Sequence, residues 1–321
     1  MFFRPFTHFL YLGVAAASLA GNRTYTNPIL PGWHSDPSCV YVTKQETFFC
    51  VASTFIAFPG LPLYASKDLV HWELASNIFN RPSQIPGLAD TEGQQGGIYA
   101  PTLRYRDGTF YLIVSVLGVD VEGLVFTSDN PYDDSSWSEP LVFPVHGIDP
   151  DIFWDEEEGG QVYVTSADNN RIQQYTLDLS TGEIGPVTYL WNGTGGAYPE
   201  GPHIFKKDGY YYLLIAEGGT ETNHSATMAR SKNRTGPWEP CPYNPLLTNR
   251  NTTQYFQTVG HADLFQDREG HWWGVALSTR SGPEWVNYPM GRETILTSGT
   301  WEEGHWPVLE PARGATRIHS A

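Results

Sequence analysis

The 321-residue chain is poor in basic side chains, in cysteine and in helical patterning. Its 19 Lys and Arg residues face 35 Asp and Glu residues, which gives a formal net charge of −16. Because binding to a polyanion requires a basic surface that neutralises phosphates, this imbalance argues against a nucleic-acid partner. A neutral ligand such as a sugar fits the charge better. No segment shows convincing helical periodicity, so the chain is expected to be built from strands.

Long apolar runs are also missing after residue 20, so no membrane partner is expected. Before that point, Arg4 precedes an apolar run over residues 9–19, and Ser18 and Ala20 place small side chains at the −3 and −1 positions of a cleavage site. This pattern is typical of a secretory signal peptide. The alternative, a membrane anchor, needs about 20 apolar residues, more than this run contains. We therefore predict a signal peptide over residues 1–20 and a secreted, extracellular mature chain.

Asn-x-Ser/Thr sequons agree with secretion, because they are acceptors for glycosylation on secreted proteins. None of the five has Pro in the middle position. They predict a glycoprotein modified at Asn22, Asn192, Asn223, Asn233 and Asn251.

The three cysteines leave one without a partner inside the chain. If residues 43–46 form a turn, the numbers of facing residues sum to 89, and Cys39 then lies opposite Cys50. Directly opposed residues on antiparallel strands are close enough for a disulfide, so we predict Cys39–Cys50 with Cys241 free. A pair of buried thiols is the alternative.

Turn formers and aromatics are abundant, with 32 Gly, 24 Pro, 11 Trp and 18 Tyr. Five segments share one plan, in which a short apolar strand, a turn with acids or Gly and an aromatic-rich strand follow one another. Their first residues are spaced 64, 49, 51 and 61 residues apart and are Asp36, Ala100, Asp149, Glu200 and His261. A period of about 40–60 residues with a hairpin in each unit indicates an all-β, five-bladed β-propeller. It forms one domain within residues 21–321.

This architecture predicts a functional site in the central channel. The innermost strand of each blade lines the central channel, so the first residues of the five repeats are expected to face it at one height. Three carboxylates and a histidine would then meet, and close like charges raise the pKa of one carboxyl toward that of a general acid. Each residue also has an ordinary explanation, because Asp-Pro starts turns and a lone His is more often part of a core.

Several ordered motifs resemble the glycoside hydrolase family 43. They are residues 34–38 (HSDPS), 100–102 (APT), 148–150 (IDP), 200–203 (EGPH), 260–261 (GH) and 290–294 (MGRET), and residues 53–60 and 63–73 are similar to the β-xylosidase branch. The resemblance implies a five-bladed propeller that hydrolyses β-D-xylosides and α-L-arabinofuranosides with inversion. Relatives in that branch continue into a C-terminal β-sandwich, whereas the likeness here ends near Pro311, so we expect a chain without the sandwich.

The resemblance also implies roles for single residues. Asp36 would be the general base, Glu200 the general acid, and Asp149 the group that tunes the pKa of the acid. Arg292 would bind sugar hydroxyls. His261 would lie at the channel floor, where some relatives place a calcium ion, although no cofactor is expected to be required.

Aromatic side chains near strand ends are candidates for stacking on sugar faces, although an ordinary core role is at least as common for each. They are Phe55, Phe58, Tyr99 and Trp154. Where relatives often have a large aromatic after Phe55, this chain has Ile56 and Ala57, which would widen the first subsite.

The sequence thus predicts a secreted glycosidase that acts on plant cell-wall hemicellulose, with xylan, arabinoxylan or arabinan as substrates. Three other classes stay open: a non-catalytic sugar-binding propeller, an endo-arabinanase, and a metal-dependent enzyme. Against a metal-dependent enzyme, the sequence lacks the closely spaced His and Cys ligands that zinc normally recruits.

Overall fold

The computed structural model describes residues 23–118 and 121–318, in which five antiparallel sheets stand as blades around a central channel. The prediction of an all-β, five-bladed β-propeller is confirmed. The predicted signal peptide and the sequon at Asn22 lie outside the described residues. In the described part of the chain, no helix has the length and apolarity needed to cross a membrane.

Each blade follows the chain from the channel outward. Blade 1 contains β2–β5, which are Ser35–Val42, Thr47–Ser53, Gly60–Ser66 and Glu73–Phe79. Blade 2 contains β6–β10, which are Gly97–Ile98, Thr102–Arg106, Thr109–Leu117, Val121–Ser128 and Leu141–Phe143. Blade 3 contains β11–β14, which are Ile148–Asp155, Gln161–Asp168, Arg171–Thr176 and Thr188–Trp191. Blade 4 contains β15–β18, which are Glu200–Lys207, Tyr210–Glu217, Ser225–Ser231 and Glu239–Pro240. Blade 5 contains β19–β22, which are Phe256–Gln266, Trp272–Arg280, Glu293–Thr300 and Val308–Leu309.

The remaining elements are short. Strands β1 and β23, which are Arg23–Thr26 and Ala315–Ile318, form a separate two-stranded sheet. Within residues 23–118 and 121–318, five 3₁₀ helices lie in the connections, at Thr43–Gln45, Pro82–Gln84, Leu88–Asp90, Asp134–Ser136 and Glu156–Glu158.

The inner hairpin of blade 1 has the predicted register. The 3₁₀ turn Thr43–Gln45 joins β2 to β3, and Cys39 faces Cys50 directly with 4.2 Å between their Cα atoms. The two cysteines form the predicted disulfide, and Cys241 is free and buried. The sum of facing residue numbers was therefore sufficient to identify the pair.

Serine ends the strand next to the outermost one in three of the blades. The hydroxyl oxygens of Ser66, Ser128 and Ser231 each accept a hydrogen bond from the backbone N–H two residues further on, at 3.0 to 3.2 Å. Such side-chain contacts satisfy the backbone where the chain leaves a strand and turns. The turn that follows leads to the outermost strand of the blade.

Among the residues that the structure describes, five apolar clusters hold the blades together, one at each contact between neighbouring blades. Blades 1 and 2, for example, share a cluster in which the rings of Phe49 and Phe110 stand 5.0 Å apart. Each sheet thus packs on both faces against the neighbouring blades. The members of the five clusters come from blades 1 and 2, 2 and 3, 3 and 4, 4 and 5, and 5 and 1.

The ring is closed by the segment that precedes blade 1. The side chain of Asn27 donates to the carbonyl oxygen of Leu296 in blade 5 at 2.8 Å and accepts from its backbone N–H at 2.8 Å. Asn27 is buried, so these bonds are shielded from water. The beginning of the described chain is therefore fastened to the last blade.

Candidate active site

A pocket of about 270 Å³ opens at the end of the channel where the inner strands begin. It gathers residues from all five blades and from the loops around them. Its lining consists of Trp33, Asp36, Phe55, Gln94, Gln95, Tyr99, Ala100, Ile148, Asp149, Glu200, Thr220, His261 and Arg292. The predicted carboxylates, the histidine and the arginine are therefore brought together.

The inner strands of blades 1, 3, 4 and 5 carry a register shift at equivalent places, where a residue with positive φ is inserted. That residue is Asp36 in blade 1, Asp149 in blade 3 and His261 in blade 5, with φ of 53°, 55° and 51°. In blade 4 it is Gly201, with φ of 55°, and not Glu200. The prediction that Glu200 occupies the same repeat position as Asp36 and Asp149 is wrong by one residue.

Crowding explains why blade 4 differs. A Cβ atom on Gly201 would lie 2.7 Å from Nε2 of His261, so no side chain fits at the inserted position. The carboxylate of this blade is instead supplied by the preceding residue, Glu200. Because the bulge interrupts the alternation of side chains along the strand, Glu200 still lines the pocket.

Asp36 is held from two sides. The hydroxyl of Ser53 on the next strand donates to Asp36 Oδ2 at 2.9 Å, and Nδ1 of His261 lies 3.5 Å from Asp36 Oδ1. Burial lowers the pKa of His261, although the Asp36 carboxylate opposes this, so the imidazole is neutral at ordinary pH. Asp36 is thus an oriented carboxylate without a permanent cationic partner in contact.

Asp149 and Glu200 lie side by side on neighbouring strands. The backbone N–H of Gly201 donates to Asp149 Oδ2 at 3.1 Å, which ties Asp149 to the segment that carries Glu200. Burial raises the pKa of Glu200 to about 7, the Asp36 charge adds to the increase, and Arg292 opposes it. Burial, then Glu200 and Asp36, raise the pKa of Asp149 well above its ordinary value. At neutral pH this pair therefore retains a proton that it can donate.

Arg292 lines the same pocket and acts electrostatically on both carboxyl groups. Its guanidinium donates to the hydroxyl of Thr220 at 3.0 Å and to that of Ser35 at 3.5 Å, and it lies 5.7 Å from the ring of Trp33. An arginine has five N–H donors, so donors remain for ligand hydroxyls.

Two of the predicted aromatic residues line the pocket. The rings of Phe55 and Tyr99 are 5.4 Å apart, and the ring of Trp33 follows at 5.6 Å from Phe55. Phe58 is half exposed on the neighbouring loop, where its ring lies 5.1 Å from that of Phe79. It is not part of the lining.

Trp154 lies away from the pocket, which corrects the prediction that it stacks on a sugar there. It is five residues beyond Asp149 on β11, and a strand advances about 3.3 Å per residue, so the two are roughly 16 Å apart. Its ring contacts Tyr111 at 5.0 Å and the guanidinium of Arg106 at 5.5 Å, and it lines a different cavity.

Several residues of the site were missed in the sequence. Trp33 directly precedes the HSDPS motif, so its place beside that motif was a usable signal. Ser53 and Thr220 have no local signature. His224, which does not line the pocket, has no local signature either. It is fully buried, donates through Nδ1 to the carbonyl oxygen of Thr258 at 2.9 Å and has a pKa lowered by burial to about 3.

Curated proteins with similar sequences are named as xylosidases and arabinosidases. The chain is 42% identical over 304 residues to a non-reducing end alpha-L-arabinofuranosidase of Bacteroides ovatus, which covers 93% of this chain and 55% of that protein. It is 39% identical over 305 residues to a xylosidase/arabinosidase of Butyrivibrio fibrisolvens, covering 90% and 57%. It is 34% identical over 325 residues to a xylan 1,3-beta-xylosidase of a Vibrio species, covering 92% and 58%.

Solved structures of similar proteins superpose on this chain. The GH43B protein of a Bacteroides ovatus xyloglucan locus superposes with a TM-score of 0.84 at 39% identity, over 92% of this chain and 58% of that one. A xylan beta-1,4-xylosidase from Bacillus halodurans superposes with a TM-score of 0.82 at 34% identity, over 92% and 59%. The chain thus spans little more than half the length of these relatives. The profile of the family described as Glycosyl hydrolases family 43 matches residues 25–307, and the chain belongs to that family.

Proposed function

We propose that this chain is an inverting glycosidase that removes terminal β-D-xylosyl or α-L-arabinofuranosyl units. The observation that carries the proposal is the separation of roles among the carboxyl groups. Asp36 is a carboxylate oriented by Ser53, whereas Asp149 and Glu200 share a proton at neutral pH. A base and an acid in one small pocket are what inverting hydrolysis requires.

The reaction follows from these states. Asp36 accepts a proton from a water molecule as the water oxygen attacks the anomeric carbon. Glu200 donates its proton to the glycosidic oxygen as the bond between that oxygen and the anomeric carbon breaks. The products are a sugar with inverted configuration and the free alcohol, while Asp36 is left protonated and Glu200 ionised. Exchange of both protons with solvent restores the enzyme.

The third carboxyl group and the arginine support the acid. Burial and the Asp36 charge raise the pKa of Glu200, and burial, Glu200 and Asp36 raise the pKa of Asp149, so the pair still holds a proton near neutral pH. In this proposal Asp149, as the neighbouring carboxyl, helps to keep that proton on Glu200. Arg292 uses its remaining N–H donors on sugar hydroxyls. Phe55 and Tyr99 supply apolar surface for the faces of the ring.

The substrate class rests on the relatives and on the size of the pocket. The similar proteins are named for xylosides and arabinosides. A lining that combines aromatic and charged groups around a volume of about 270 Å³ suits one terminal sugar better than a long polymer. Xylan and arabinoxylan fragments are therefore the proposed substrates, and internal cleavage of arabinan is the less favoured alternative.

A test compares three substrates on the wild type: nitrophenyl β-xyloside, nitrophenyl α-L-arabinofuranoside and linear arabinan. Turnover of one or both nitrophenyl glycosides, with arabinan shortened only from its ends, is the expected result. A rapid loss of arabinan viscosity would instead indicate an endo-acting enzyme. Glu200→Gln is the test variant for catalysis, and Glu183→Gln, an exposed carboxyl outside the pocket, is its matched control. Sugar binding without turnover in the wild type and in both variants would identify a non-catalytic binder.

We also propose that the protein is secreted and glycosylated. Asn192, Asn223, Asn233 and Asn251 are all exposed, which leaves each accessible to a modifying enzyme. Expression in a eukaryotic secretory host should give a protein whose mass falls on treatment with an endoglycosidase. An unchanged mass would remove the glycoprotein assignment.

A further inference from the structure

A second polar layer lies in the channel beneath the pocket. In each blade, a buried side chain lies two residues after the position occupied by Asp36, Ala100, Asp149, Gly201 or His261. These are Ser38, Thr102, Asp151, His203 and Asp263. Arg104, two residues further along blade 2, reaches into this layer and has only 20% of its side chain exposed.

One guanidinium connects the blades in this layer. Arg104 Nη2 donates to Asp151 Oδ1 of blade 3 at 2.6 Å, and Arg104 Nη1 donates to Asp263 Oδ2 of blade 5 at 2.9 Å. Nη2 also lies 3.1 Å from Nδ1 of His203 in blade 4. Ser38 of blade 1 completes the set, because its hydroxyl donates to Asp263 Oδ2 at 2.6 Å. All five blades thus contribute to a single network, which we call the channel hub.

The charge of Arg104 is what permits two carboxylates here. Asp151 and Asp263 have no exposed side-chain surface, and an isolated carboxylate in such a place would be strongly disfavoured. Burial by itself would raise the pKa of Asp263, but the Arg104 charge prevails and keeps that pKa below its ordinary value. The hub therefore holds one cation in direct contact with two fully buried carboxyl groups.

A calcium ion does not fit this arrangement. Calcium takes about six to eight oxygen ligands, and carboxylates are its usual source. All four carboxylate oxygens of the hub already accept hydrogen bonds. Besides the bonds from Arg104, Asp151 Oδ2 accepts from the backbone N–H of Ile204 at 2.9 Å, and Asp263 Oδ1 accepts from that of Leu264 at 2.8 Å. The nearest imidazole above the hub, that of His261, faces Asp36.

We propose that Arg104 is the resident cation of the channel, that it joins the five inner strands in the place a divalent ion would take, and that it makes the protein independent of calcium. Asp151 shares its strand with Asp149, Ser38 shares its strand with Asp36, and Asp263 shares its strand with His261. The hub thus fastens each of these three strands two residues below the residue that faces the pocket. Arg104 is accordingly a positioning residue for the site, and it has no contact with the sugar.

The test replaces Arg104 and looks for a gain of cation dependence. Arg104→Met removes the charge but retains much of the side chain, while Arg104→Lys retains the charge. Arg106→Met is the matched control, since Arg106 lies two residues further along the same strand and pairs with Glu156 near the surface. Thermal midpoints are measured in EDTA and in millimolar calcium chloride, with turnover of a nitrophenyl glycoside as a second readout. The midpoint needs no substrate, so it reports on the hub even if the proposed activity is wrong.

The wild type and Arg106→Met are expected to have the same midpoint in EDTA and in calcium. Arg104→Met should lose about 5–15 °C in EDTA, because breaking a buried ion pair leaves the partner charges unpaired. Calcium should restore several degrees of this loss, since the two carboxylates, His203 and Ser38 then offer ligands to the ion. Arg104→Lys should lose less and should not respond to calcium.

Two results obtained with folded proteins would overturn the proposal. One is a wild type whose midpoint or turnover falls in EDTA and recovers with calcium. The other is an Arg104→Met protein that calcium does not stabilise. If Arg104→Met folds only when calcium is present during expression, the proposal is supported. If it does not fold even then, while Arg104→Lys folds, a divalent ion cannot take this place and the proposal fails.

Discussion

Removal of the Asp149 charge should move the alkaline limb of the pH–rate profile to lower pH. In the wild type, the last proton of the Asp149–Glu200 pair leaves with a macroscopic pKa that belongs to both groups. In Asp149→Asn, that proton belongs to Glu200 alone. Burial and the Asp36 charge still act on it, against the opposing effect of Arg292, so the limb should then fall near pH 7, the value to which these effects raise Glu200.

The size of the shift in the alkaline limb follows from the interaction between the charges of Asp149 and Glu200. Two unit charges about 6 Å apart at an effective dielectric constant of about 20 interact by roughly 3 kcal/mol, or about 2 pKa units. Arg292 opposes the rise in the pKa of both carboxyls and offsets part of this interaction. We therefore expect a displacement of about 1 to 2 pH units. The acid limb of the profile should move less, because the substitution changes the Asp149–Glu200 pair directly.

The assay is kcat/KM between pH 4 and 9 on a nitrophenyl glycoside, for the wild type, Asp149→Asn and Asp129→Asn. Asp129 is an exposed carboxyl outside the pocket lining, so its variant controls for the change in net charge. If Asp149 only supports the fold, its variant loses activity by one factor at every pH and its thermal midpoint falls. An alkaline limb that stays in place would refute the assignment of Asp149 as the group that tunes the acid.

The remaining predictions concern the acid, the base and the bulge. Glu200→Gln should lower turnover by several orders of magnitude on alkyl glycosides and by less on nitrophenyl glycosides, since good leaving groups need little protonation; equal losses on both would argue against Glu200 as the acid. The same variant should be more stable than the wild type above pH 7 by several degrees and equal to it near pH 4, because the raised pKa of Glu200 gives stability that is complete below about 4.5 and is lost as pH rises through about 7. Proton NMR of the first product should show inversion at the anomeric carbon, and retention would make Asp36 a nucleophile. Gly201→Ala should lower both the thermal midpoint and turnover, since its Cβ would lie 2.7 Å from His261 Nε2; a variant with wild-type midpoint and turnover would show that the bulge tolerates a side chain.

The repeats, the disulfide and the candidate carboxylates were accessible in the sequence because each depends on short-range order. A propeller blade is an antiparallel meander, so the spacing of its hairpins appears directly as a period along the chain. The pairing of Cys39 with Cys50 needed only one hairpin and its turn. The motifs around Asp36, Asp149 and Glu200 begin the inner strands, and this common place in the repeat was enough to predict that they converge.

The fine register of the site was decided by tertiary contacts. Glu200 precedes the inserted residue of its strand because His261, from the next blade, fills the space beside Gly201. Trp154 was misplaced for a related reason, since closeness to Asp149 in sequence says little about closeness in space along an extended strand.

Only the closed ring brings the most distant partners together. Asp36 and Arg292 face one pocket, although the sequence between them contains most of the propeller. The hub of Arg104, Asp151 and Asp263 draws one charged side chain from each of three blades, and none of the three has a local signature. Their meeting depends on the number of blades and on the closure through Asn27, which set the width of the channel. The sequence by itself determined which residues begin each inner strand, and the tertiary structure decided which of them touch, because contacts across a channel are properties of the whole ring.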